Sequence, residues 1–74
     1  MEKLYSLLSN IRSDIDFKNE EALIDDGLLD SVDILTIVTA ISEEFKINIP
    51  ITYIIPENFN SADAMFKMIS LLKK

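Results

Sequence analysis

The chain has 74 residues and a mass of 8.4 kDa, enough for one small domain (residues 1–74) and too little for a multi-domain enzyme. Histidine and cysteine are both absent, which excludes a Cys/His zinc site, a disulfide framework and any Ser-His or Cys-His nucleophile pair. A net charge of −6 leaves no basic surface to displace counterions from phosphates, so non-specific nucleic-acid binding is excluded as well.

Hydrophobic residues make up 49% of the chain, with one glycine and two prolines. That composition supports a packed core and argues against an all-β fold with many tight turns. A chain of this size without disulfide or metal is expected to pack as a small all-α bundle. No apolar stretch approaches the roughly 20 residues that span a bilayer. Met1 to Ser6 lack the basic and long apolar regions of a secretory signal. A cytoplasmic protein without membrane insertion is the expectation.

The first helix is predicted from Glu2 to about Ser13, where Leu4, Leu7, Leu8 and Ile11 follow the i, i+3, i+4, i+7 spacing of a buried stripe. A long acidic connection runs from Asp14 to Asp30. Between Asp14 and Asp33 eight acids face a single lysine, Lys18, so the whole net charge arises there. Such a block is either a solvated loop or a docking surface for a basic partner. Phe17, Ala22, Leu23, Ile24, Leu28 and Leu29 are expected to pin this loop to the helices, with a short turn near Glu20–Leu23. Gly27, the only glycine, is expected in a backbone conformation that disfavours a Cβ.

The second helix starts at Asp30 or Ser31, both good N-caps, with Asp33 adding favourable negative charge in its first turn. Ile34, Ile37, Val38, Ile41 and Phe45 form its core stripe, yet Val32, Leu35 and Ala40 lie off it. A chain this small cannot bury a helix on every side, so some of Val32, Leu35 and Thr39 should stay exposed. A short third helix is predicted from Ile51 to Ile55, opened by Pro50 and stopped by Pro56. A strand over Ile49–Ile55 is the weaker alternative. The last helix is predicted from about Ser61 to Lys73, capped by Asn60 or Ser61. Ala62, Met65, Phe66, Ile69 and Leu72 face inward, and Lys73 and Lys74 complement the helix dipole. The sum is three longer helices and one short one.

The chemistry concentrates at Gly27-Leu28-Leu29-Asp30-Ser31-Val32-Asp33. A serine where a helix begins lies beside free backbone N–H groups, which favour a phosphate attached there. Ser31 is thus either a cap or an exposed modification site. The segment from Asp30 to Glu43-Glu44-Phe45 resembles the Asp-Ser-Leu helix of the acyl carrier protein family. Gly27-Leu28-Leu29-Asp30-Ser31 and Pro50-Ile51-Thr52 are similar to D-alanyl and other stand-alone aminoacyl carriers. Pro56 to Ala62 resembles the loop before the last helix of stand-alone bacterial carriers, so the resemblance covers nearly the whole chain.

The resemblance implies a four-helix bundle of the acyl-carrier type. Ser31 would bear 4′-phosphopantetheine, a phosphodiester-linked arm taken from coenzyme A by a magnesium-dependent phosphopantetheinyl transferase. The thiol of the arm would hold acyl or aminoacyl groups as thioesters. The chain would be no enzyme itself; an adenylating ligase or acyl- or aminoacyl-transferring enzymes would be its partners, in fatty-acid or secondary-metabolite biosynthesis. By the same resemblance Asp30 would help the transferase and its metal recognise the site. Val32 would dock in apolar pockets. Asp25, Asp26 and Asp33 would pair with partner Arg or Lys. Leu35 and Thr36 would continue the docking face, and Ile54 would border it, with Phe59 either beside it or in the core. A monomer is expected.

The chain departs from fatty-acid carriers at Thr36, where they carry an acid, and in the few acids along its second helix. That favours a carrier dedicated to one or two specialised enzymes. Two other readings compete. One is an acidic helical interaction module without a prosthetic group. The other is a calcium loop at Asp25–Asp30, whose ligand spacing is wrong for an EF-hand.

Overall fold

The apolar stripes along the helices converge on one core. In a computed structural model describing residues 2–73, the order is α1 (Glu2–Ile11), α2 (Ser31–Phe45), a 3-10 turn (Ile51–Tyr53), α3 (Pro56–Phe59) and α4 (Ala62–Leu72). Among the described residues there is no strand, and no helix is long and apolar enough to cross a membrane. The protein is therefore a small helical bundle. α1 packs on α2 and on α4, and α3 packs on α4.

Leu4 and Leu8 from α1, Ile37 and Ile41 from α2, and Met65, Met68 and Ile69 from α4 are fully buried. No polar or charged residue is buried among the described residues, so no core side chain needs an internal hydrogen-bond partner. Leu7, Ile11, Val38 and Phe45 complete the stripes from its margin. The Phe45 ring lies under two ammonium groups, Lys3 at 5.1 Å and Lys73 at 5.9 Å, which joins three helix ends at one edge of the bundle. The proposed dipole role of Lys74 lies outside the described residues.

Several boundaries differ from the sequence reading. α1 stops at Ile11, not Ser13, because the chain turns there to carry Ile15 and Phe17 back into the core. The connection holds turns at residues 17–19 and 23–27 rather than at Glu20–Leu23. Leu23 and Leu29 are buried and so pin it, and Ile15, absent from the expected set, does the same. The helical turn after Pro50 covers only Ile51–Tyr53. Pro56 does not merely stop it but opens α3 as its first residue, where a missing N–H costs nothing. In α4 the Ser61 hydroxyl caps the Ala64 N–H at 3.0 Å. Phe66, expected inside, is 37% exposed, and Met68 takes the inward place.

Among the described residues two adopt positive φ. Gly27 does so at +74°, as its type suggested, and Lys46 does so at +55° as the left-handed C-cap of α2. A Cβ on Gly27 would meet nothing within 4 Å, so only backbone strain opposes a side chain there. Gly27→Ala should lower stability by about 1 kcal/mol and Lys46→Gly raise it by up to about 1 kcal/mol, read as opposite shifts of the thermal midpoint. Phe59, at 1% exposure, is core; Phe59→Ala should cost about 3–5 kcal/mol in denaturant titration.

Candidate functional site

The start of α2 is built from a capping box. Asp30 is the N-cap in extended conformation, and its Oδ1 accepts the Asp33 N–H at 2.9 Å. Asp33 returns the contact, its Oδ2 accepting the Asp30 N–H at 3.3 Å. This resolves the choice of cap in favour of Asp30. Ser31 becomes the first helical residue, it is exposed, and its hydroxyl takes no part in the box. A cap of this kind stabilises a helix by about 1 kcal/mol.

Asp33 has a second partner. Its Oδ2 accepts from Arg12 Nη1 at 2.6 Å, and only 19% of its side chain is exposed. The same Nη1 donates to the Leu28 carbonyl at 3.4 Å. The other edge of the guanidinium grips Asp14, with Nε and Nη2 each 3.0 Å from one carboxylate oxygen. Arg12 therefore ties the end of α1 to both the acidic connection and the start of α2. The hydrogen bonds from Arg12, with its positive charge, hold the Asp14 carboxyl below its ordinary value of 3.8. Reciprocally, the Asp14 hydrogen bonds raise the Arg12 guanidinium above its ordinary value.

The other expected site residues scatter around this node. Val32 and Leu35 are 69% and 62% exposed, and Thr39 is exposed beside them. Leu35, Thr36, Thr39, Ala40 and Glu43 line a shallow open groove along the outer face of α2. The Thr36 hydroxyl donates to the Val32 carbonyl at 3.0 Å, an internal helical contact. Asp25 and Asp26 are exposed. Ile54 is half-buried and leans on the core. Of the acids named for partner contact, Asp33 is the one held by an ion pair within the chain, while the Asp25 carboxylate, still exposed, accepts from Asn60 Nδ2 at 3.3 Å. Among the described residues no three acids converge into a group suited to a metal ion, which applies to the Asp25–Asp30 loop too.

Two residues were not singled out from the sequence and matter here. Arg12 is one; being the only arginine, next to the acidic block, was its signal. Asn60 is the other, weighed only as a helix cap. Its Oδ1 accepts from the N–H groups of Ile24 at 2.9 Å and Asp25 at 3.1 Å, and its carbonyl accepts from the Leu23 N–H at 2.9 Å. It anchors the acidic connection to the α3–α4 junction. Comparison of the chain with protein-family models, curated proteins and solved structures finds no match.

Because the Asp14 carboxyl is held low in the folded state, its contribution to stability is complete above the unfolded-state value and is lost as pH falls through the lowered one. Asp14→Asn should therefore melt below the wild type at neutral pH. The gap should close as pH falls below the ordinary carboxylate value of 3.8, followed by circular dichroism.

Proposed function

We propose that the chain is a carrier protein of the acyl carrier type, with Ser31 as the attachment point for 4′-phosphopantetheine. The observation that carries this reading is the place of Ser31. It is the exposed first residue of α2, between an acid that caps the helix in its stead and an exposed valine. The hydroxyl is thereby spared for bond formation, and the N-terminal N–H groups and dipole of α2 favour a phosphodiester at that position. The bound arm would supply the thiol that the chain lacks, holding acyl or aminoacyl groups as thioesters. The protein would catalyse nothing itself; a phosphopantetheinyl transferase and acyl- or aminoacyl-transferring enzymes would do the chemistry.

Asp30 keeps one carboxylate oxygen outside the capping box, available to a transferase and its metal. Val32 and Leu35 offer apolar contact, and Asp25 and Asp26 offer charge that speeds and orients encounter with a basic partner. The exposed Val32 and Leu35 also suit a second reading, an acidic interaction module with no prosthetic group.

Incubation with coenzyme A and a phosphopantetheinyl transferase of broad specificity should raise the intact mass by one phosphopantetheine. Ser31→Ala should abolish the gain while leaving the unfolding free energy within about 1 kcal/mol of the wild type. A wild-type chain left unmodified by several such transferases, with partner binding intact in Ser31→Ala, would favour the interaction module instead.

A further inference from the structure

The guanidinium of Arg12 touches the chain on both sides of Ser31. One nitrogen donates to the Leu28 carbonyl, three residues before the serine, and to the Asp33 carboxylate, two residues after it. The Asp33 oxygen that receives Arg12 is the same oxygen that accepts the Asp30 N–H in the capping box. Arg12 is held in turn by its two-point contact with Asp14. Five residues from two stretches of the chain, Arg12, Asp14, Leu28, Asp30 and Asp33, thus form a single charge-assisted network around the turn that presents the serine.

We infer that Arg12 is the positioning residue of the Ser31 acceptor: through Asp33 and Leu28 it holds the first turn of α2 in the conformation a transferase must meet. This rests on the carrier reading and adds to it a residue, remote in sequence, that sets how readily the site is modified. Without Arg12, the Asp33 carboxylate loses its counter-charge among the neighbouring acids, and the Leu28 carbonyl loses its side-chain donor. The capped turn is then open most of the time. An enzyme that takes only the closed turn sees its apparent affinity fall by the closed fraction, so KM rises while kcat, set after binding, holds. A residue that merely added stability would leave KM alone, because the globally unfolded population is too small to matter.

The test measures steady-state modification of apo protein by a broad-specificity transferase with coenzyme A, beside amide hydrogen exchange. Arg12→Ala should raise KM about five- to tenfold with kcat within about twofold, and speed exchange at the Asp30 and Asp33 amides. Arg12→Lys, which keeps one ion pair to Asp33, should recover part of the loss. Ile41→Val, a core change chosen to match the drop in melting temperature, should leave KM unchanged. If Arg12→Ala does not fold, Arg12→Gln is read in the same way. Unaltered KM in the Arg12 variants, or an equal rise in Ile41→Val, overturns the positioning role while the carrier reading stands. A wild type that takes no phosphopantetheine from several transferases overturns both.

Discussion

Arg12 sits at the point where a strongly acidic segment must fold back on itself. Seven net negative charges lie between Asp14 and Asp33, and bringing the two ends of that segment together sets Asp14 and Asp33 near one guanidinium. Without a cation there, like charges would meet across a turn in a partly water-excluded setting, where repulsion is less screened than in bulk water. The planar fork of arginine suits the task, since it can grip one carboxylate with two nitrogens and still offer a third to another. The start of α2, and with it the presentation of Ser31, follows from that contact. Asn60 supports it from the opposite side by tying residues 23–25 to the α3–α4 junction.

The rest of the site follows from how little surface a small bundle can bury. α2 is apolar on more than one face, and only the side bearing Ile37 and Ile41 enters the core. Val32 and Leu35 are left in water beside the serine, and the α2–α3 connection adds Ile51, which is 83% exposed. Leaving such groups in solvent forgoes stability at about 25 cal/mol per Å² of apolar surface. Under the proposed function that forgone burial is recovered whenever a partner enzyme covers the face. α4 shows a related pattern on a smaller scale, with Phe66 and Leu71 exposed around Lys67 and Ser70.

Much of this was readable from spacing alone. Leu4 and Leu8, or Ile37 and Ile41, lie four apart and must share a helix face, so their burial needed no knowledge of the neighbours. The junction at Asp30-Ser31 was readable for a similar reason: caps act over three residues, and Asp30 and Asp33 stand at that separation. Elements with two valid local readings were harder. Pro56 both ends one turn and opens another, and the sequence favours neither. In α4, Phe66 and Met68 both lie near the edge of the apolar stripe, and packing against the other helices buries Met68 and leaves Phe66 exposed. Ile15 looked like an isolated apolar residue in an acidic loop until the chain turned it inward.

Local rules, then, determine what local geometry controls: three longer helical segments, one long acidic connection, a serine where the longest helix begins, and an apolar surplus on that helix. The tertiary structure alone decides which acids are spent and which are free. Asp25, Asp26 and Asp33 look alike in the sequence, yet Asp33 is taken by an arginine 21 residues away, Asp25 accepts from the Asn60 amide at 3.3 Å, and Asp26 faces water. Whether a carboxylate meets a cation at that separation depends on how the intervening loop closes. That closure is set by Leu23 and Leu29 entering the core and by Asn60 catching the backbone beside them, contacts that no spacing within a single element encodes.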